Sequence, residues 1–175
     1  MRRLTVESFP DLFEHTAFRL ETRPSYLVDY EQPSVANFLA GEPRPVTEIP
    51  QYAAWLALVR GIVSQGRHVV RVRVFEEPPT DYQRWVQWAG RWNVEAGEHI
   101  RYMPRSRAAA VGLPLVDWWL FDSDLLALTH VDEDGRPVRN EIIDDPGIVA
   151  RYSEWRDLAV RHSTPDQPGQ RLSAA

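Results

Sequence analysis

Between His68 and Glu76 the chain reads Val69-Val70-Arg71-Val72-Arg73-Val74-Phe75, and this alternation constrains the fold more than any other stretch. Successive residues of a β-strand point to opposite faces, so Val70, Val72 and Val74 share one face while Arg71 and Arg73 share the other. Guanidinium groups are rarely buried unless paired. The strand therefore demands an answer to its two positive charges: carboxylates of the same chain, a bound anion, or solvent at a sheet rim. Glu21, Glu98, Asp117 and Asp122 are the carboxylates that would serve from within, and an internal ion network is the plainer expectation.

The flanking patterns predict the elements that carry this strand. Tyr52, Trp55, Leu56, Val59, Ile62 and Val63 fall at helical spacing before Gly66, which supplies a carboxy-terminal stop. After Pro78-Pro79, Thr80 and Gln83 match a reciprocal capping pattern; Tyr82, Trp85, Val86, Ala89 and Trp92 then share a helical face that ends at Gly97. A strand from His99 to Met103 completes a strand-helix-strand unit, which predicts a parallel crossover. Trp118 to Phe121, Leu125 to Val131 and Val138 to Ile143 read as antiparallel strands, the last two joined by a turn at Asp134-Gly135. Asp144 or Asp145 caps a final helix with Pro146 in its first turn. Upstream, Ser8-Phe9-Pro10 opens a short helix carrying Leu12 and Phe13, Tyr26 to Tyr30 reads as a strand, and Ser34 caps a helix ending at Gly41. The expected fold is a single α/β or α+β domain over residues 1–162 with a mixed sheet, followed by a flexible tail from residue 163 to 175.

Composition closes off several chemistries. The chain has no cysteine, which removes disulfides, thiolate metal sites and a cysteine nucleophile. It also has no lysine, so all twenty basic residues are arginine, and lysine bases, Schiff bases and phosphate-loop lysines are unavailable. A net charge of −5 argues against a nucleic-acid binder driven by bulk charge. No apolar run is long enough to span a bilayer, and the amino terminus lacks the apolar core of a signal peptide, so a cytoplasmic location is expected.

Past the strand ends lies the ligand-prone rim of such a sheet, here Glu76, Glu77 and Asp81 on one side and Pro104 to Arg107 on the other. The binding candidates are Arg71 and Arg73, Arg101 if the next strand's register matches, Glu76, Tyr82, and Trp118. Trp118 and Trp119 point to opposite faces as strand neighbours, so one of them can line a pocket or interface. Glu76, Glu77 and Asp81 serve equally as solvated turn and helix-start residues. Asp132-Glu133-Asp134-Gly135 lacks the spacing of a calcium loop and reads as a hairpin turn. The five histidines are scattered without metal-ligand spacing on one helix, so no metal or cofactor is expected.

Ala17-Phe18-Arg19-Leu20-Glu21, the Arg71-Val72-Arg73-Val74 strand, Ala96-Gly97-Glu98 with Ile100-Arg101-Tyr102, and Asp117-Trp118-Trp119-Leu120-Phe121-Asp122 together resemble an uncharacterised actinobacterial domain family. The resemblance runs to about Pro165, and it implies a setting beside helix-turn-helix transcription regulators. The layout from Trp55 to the last helix is similar to one half of a phospholipase D-like domain. That likeness implies a catalytic His-x-Lys followed by four residues and Asp. At His130 the lysine position holds Asp132 and the aspartate position holds Pro137, so the resemblance implies a non-catalytic version.

The sequence thus leads to a non-enzymatic regulatory or protein-interaction module with a protein partner, a helix-turn-helix regulator being the one the resemblance implies. A partner or small anion would dock near Arg71, Arg73 and Arg101. The rival expectation is an enzyme or binding protein for a phosphorylated or acidic small molecule, held by the arginines, with Glu76, Glu77 or Asp81 as base or metal ligand.

Overall fold

The computed structural model describes residues 4–166. The parallel part of its sheet centres on β2, His68–Phe75, flanked by β1, Thr16–Glu21, and by β3, His99–Pro104. On the far side of β1 the sheet turns antiparallel through β4, Asp117–Phe121, β5, Leu125–Val131, and β6, Pro137–Ile143. A two-residue β7, Thr164–Pro165, pairs antiparallel with β3. The resulting order is β6-β5-β4-β1-β2-β3-β7, a seven-stranded mixed sheet in an α/β domain.

Helices cover both faces, as parallel strands require because their crossovers return over the sheet. The valine face of β2 packs with Phe18, Leu20, Met103, Trp118 and Leu120 under α4, Arg105–Ala110, and α5, Pro146–His162. The arginine face lies under α1, Gln32–Leu39, α2, Pro50–Ser64, and α3, Asp81–Glu95, whose apolar stripes join Phe75 in a second core. Trp85 and Trp118, one in each core, are fully buried. Truncating a ring of that size to alanine typically costs about 3–5 kcal/mol.

Local chemistry accounts for the helix ends. Thr80 accepts from the Gln83 amide at 3.1 Å while the Gln83 side chain accepts from the Thr80 amide at 3.1 Å, the reciprocal cap anticipated from sequence. The same Gln83 oxygen takes the Glu76 amide, tying the helix start to the end of β2. Asp145 caps α5 through the Ile148 amide at 2.9 Å. After α3, Gly97 has φ +100, and a Cβ there would lie 2.9 Å from Val63 Cγ1, so both backbone and packing select glycine.

Several amino-terminal expectations change. The Phe9–Leu12 segment is one 3-10 turn, held by Arg67 Nη1 donating to the carbonyls of Pro10 and Phe13. The first strand is Thr16–Glu21 and not Tyr26–Tyr30, which runs as coil and turn. Ser34 lies inside α1 instead of capping it, and its hydroxyl accepts from Trp85 Nε1 at 3.1 Å. At the other end, Ser163 to Asp166, expected to begin the tail, continue the domain: Arg101 donates to the Ser163 hydroxyl and carbonyl at 2.8 and 2.7 Å, and Asp166 donates its amide to Ile100. The remainder of the expected tail, 167–175, lies outside the described residues. Among the described residues, no helix is long and apolar enough to cross a membrane.

Candidate functional site

On the arginine face, the register places Arg19 beside Arg71, and Glu21 beside Arg73, on adjacent parallel strands. Trp119 of β4 lies opposite Arg19 on the other side. Four side chains of mixed charge are thereby set on one patch of sheet by strand period alone. Arg71 donates through Nη1 to Glu21 at 2.5 Å and through Nε to Glu98 at 2.6 Å; Arg73 donates through Nε to Glu21 at 2.8 Å. Arg73 Nη1 also reaches the Val86 carbonyl of α3 at 3.2 Å. Arg19 lies 3.6 Å from Asp117 and donates to the Thr129 hydroxyl at 2.6 Å.

The carboxylates are held as firmly as the guanidiniums. Glu98 also accepts from Asn93 Nδ2 at 2.7 Å and Trp55 Nε1 at 3.3 Å, and Asn93 takes the Tyr52 hydroxyl at 3.1 Å. Asp117 accepts the Thr22 amide and hydroxyl at 2.8 and 2.9 Å, together with the Tyr26 hydroxyl. Arg71 lies against the rings of Trp55 and Trp119, 5.9 and 5.5 Å from their centroids. The guanidiniums around Glu21 outweigh its burial and hold its carboxyl far below the usual range. Such a network gains little net stability when whole, but removing one partner strands a buried charge.

Above this floor opens a cleft of about 230 Å³, walled by Tyr26, Tyr30, Glu31, Tyr52, Tyr82 and Trp119 among others. The loop from Tyr26 to Glu31 and helices α2 and α3 form its sides. Tyr82 Oη donates to Glu31 at 2.9 Å. Burial pushes the Glu31 carboxyl up to about 7, even though that hydrogen bond and the nearby Arg73 and Arg71 pull the other way. Burial and the same carboxylate raise the Tyr82 hydroxyl well above its ordinary value.

The sequence candidates divide. Arg71, Arg73 and Tyr82 belong to the cleft, and two of the four carboxylates named for the arginines, Glu21 and Glu98, are their partners. Asp117 serves Arg19 instead, and Asp122 accepts the amides of His15 and Thr16 at 2.9 and 2.7 Å. Arg101 is paired in register with Val72, so its side chain lies on the opposite face and meets Ser163. Trp118 is buried beside Tyr152 in that opposite core, and its neighbour Trp119 lines the cleft. Glu76 lies beyond β2 in an ion pair with Arg105, Glu77 accepts the Ser106 hydroxyl at 2.7 Å, and Asp81 pairs with Arg84 on the surface. These carboxylates build a rim outside the cleft. The turn at Asp132-Gly135 is a hairpin turn, with Asp132 accepting the amides of Asp134 and Arg136.

Sequence reading passed over Arg19, Tyr26, Tyr30 and Glu31. Arg19 and Glu21 repeat the alternation of Arg71 and Arg73, a signal present in Phe18-Arg19-Leu20-Glu21. Glu31 carries no such mark, because its surroundings come from a loop folding over the sheet.

A family model described as "Domain of unknown function (DUF6879)" matches residues 5–167. No curated protein matches the chain. Among solved structures, a phospholipase D family member, Nuc from Salmonella typhimurium, is similar over 91% of this chain and 87% of that one, at a TM-score of 0.53 and 10% identity. The likeness concerns the fold, and it extends beyond the Trp55-to-last-helix layout noted in the sequence to most of the domain. His130, which lacks the partners of a phospholipase D-like motif, lies on β5 with its Nε2 2.8 Å from Glu141 and is not part of the cleft wall.

Proposed function

We propose that this chain, which belongs to the DUF6879 domain family, is a non-enzymatic regulatory module that works with a protein partner and takes a small molecule in the cleft above β1 and β2. The observation that carries the reading is the cleft itself: an aromatic mouth over a floor whose buried charges already answer one another. Concave sites that join aromatic walls to fixed polar groups suit recognition of a small molecule. Among the residues lining the cleft there is no serine, threonine or histidine to attack a substrate. A helix-turn-helix regulator is the partner to look for first, on the strength of the setting that the family resemblance implies.

The rival reading, an enzyme or binding protein for a phosphorylated or acidic small molecule, gains support from one feature, a Glu31 carboxyl near 7 suited to proton transfer. It loses support from the placement of Glu76, Glu77 and Asp81 outside the cleft. It also asks an anion to bind guanidiniums whose charge carboxylates of the chain already balance.

Gentle isolation of the tagged protein from its host, followed by native mass spectrometry, tests the proposal. A stoichiometric protein partner, released or tightened when a retained small molecule is exchanged, is the expected result. A solitary chain that turns over a phosphorylated substrate would overturn it. Neutralising Arg71 and Arg73 is a poor way to probe binding, since each change strands Glu21 or Glu98; Tyr30, 43% exposed at the mouth, is the better position.

A further inference from the structure

The charge balance of the cleft identifies the class of molecule it fits. Arg19, Arg71 and Arg73 stand against Glu21, Glu98 and Asp117, each of the six engaged with an opposite charge. An anionic ligand would meet guanidiniums whose charge these carboxylates already balance, three against three. Glu31 is different. It is 9% exposed, lines the cleft, and forms no ion pair with any described residue; its one side-chain hydrogen bond comes from Tyr82 Oη at 2.9 Å. A carboxylate in that position lacks a cation.

The walls suit a cation as well. Trp55 and Trp119 already face Arg71, but no described cation lies over Tyr26, Tyr30, Tyr52 or Tyr82. Ring faces attract ammonium groups, more strongly where water is excluded. Resting on the reading that the cleft holds a small molecule, we propose that its ligand is a small organic cation, an alkyl- or arylalkylammonium, whose charged head meets the Glu31 carboxylate and whose carbon body lies against Tyr26, Tyr30 and Tyr82. Charge sets the orientation: the ammonium lies on the Glu31 carboxylate, with the Arg71 and Arg73 guanidiniums left to Glu21 and Glu98.

Protonation adds a signature. The charged and titratable groups facing Glu31 are Tyr82, Tyr30, Tyr52, Glu21, Arg71 and Arg73. The tyrosine hydroxyls and guanidiniums are all shifted up and the Glu21 carboxyl is shifted down, so Glu31 is the member of this group that titrates near neutrality. An ammonium stabilises the ionised carboxylate, so binding below a pKa of about 7 expels a proton. Affinity is therefore highest on the alkaline side and falls about tenfold between pH 8 and pH 6, the ratio expected from a free carboxyl near 7.

Calorimetric titration of the full chain tests this with phenethylamine and benzyltrimethylammonium as cations, and phenylacetate and inorganic phosphate as anions. The expected result is saturable binding of the cations at pH 8, about tenfold weaker at pH 6, with no saturable binding of the anions. Glu31→Gln should weaken cation binding at pH 8 by tenfold or more while circular dichroism stays native. Tyr30→Ala should weaken it without flattening the pH profile, and Glu76→Gln, outside the cleft, should change neither. Saturable binding of phenylacetate or phosphate in place of the cations would overturn the charge assignment and leave the ligand-binding reading standing. Failure of every probe, with a neutral molecule found on the protein isolated from its host, would also overturn it. Failure of every probe with nothing retained would remove both readings.

Discussion

Replacing Glu31 by glutamine should stabilise the protein at alkaline pH and leave its stability unchanged in acid. The carboxyl ionises near 4.5 in an unfolded chain and at about 7 in the folded one, because burial opposes its charge. At about 1.4 kcal/mol for each pH unit of displacement, the difference amounts to on the order of 3 kcal/mol. The folded state holds its proton across this window while the unfolded state releases it. Stability attributable to Glu31 is thus present in full below pH 4.5 and lost as pH rises to about 7. Glutamine cannot ionise and still offers Tyr82 an acceptor. The variant should match the wild type near pH 4 and exceed it by on the order of 3 kcal/mol at pH 8. Urea unfolding followed by tryptophan fluorescence, at intervals between those limits, measures the gap. A gap that is the same at both ends, or a variant less stable at pH 8, would refute the argument that burial governs this carboxyl. The same substitution should weaken cation binding at pH 8 by tenfold or more, so stability and binding are set in opposition at one residue.

Glu21→Gln removes the anion shared by Arg71 and Arg73 and should cost about 3–5 kcal/mol in urea unfolding at neutral pH, as for other broken buried pairs. Because the folded Glu21 carboxyl is held below its usual range, its contribution is present above about pH 4.5 and lost on acidification; the wild-type stability should fall there, and the variant's should fall less. Gly97→Ala meets both a φ of +100 and Val63 Cγ1 at 2.9 Å, and should lower stability by about 1–3 kcal/mol in the same assay. Thr80→Ala, which takes the cap from the Gln83 amide, should cost about 1 kcal/mol; a change in thermal midpoint indistinguishable from zero would deny the cap its role.

What could be read from the chain depended on how local the cause was. Strand period alone put Arg71 and Arg73 on one face, and their need for carboxylates pointed to four acids, of which the fold brings Glu21 and Glu98 to them. Thr80-Gln83 and Gly97 were equally legible, and the cap of α5 was legible as Asp144 or Asp145, since a cap is decided by residues within one turn. Thr16–Glu21 carries the strand alternation of Phe18 and Leu20 with Arg19 and Glu21, but the aromatic residues of Tyr26–Tyr30 give the louder strand signal. High strand propensity misleads there: the loop uses Tyr26 and Tyr30 as cleft walls. Arg101 and Trp118 failed for a shared reason. Each is one residue off the register of the arginine face, and a shift of one position sends a side chain through the sheet. The near-neutral carboxyl of Glu31 had no sequence signature, since only the folded loop withdraws it from water.

The order in which the sheet is written into the chain has a consequence for synthesis. β1, β2 and β3, with the covering helices α1 to α3, are complete by Pro104, whereas Asp117, Trp119 and Thr129 arrive only with β4 and β5. A ribosome adding roughly 5–20 residues per second needs about one to five seconds to pass from β3 to the end of β5. For that interval the nascent half-sheet presents an open β1 edge and an Arg19 without the acid and hydroxyl that later hold it. Open strand edges are where polypeptides adhere to one another. The seam between the parallel and antiparallel halves is therefore the part of the emerging chain that a chaperone has most reason to cover.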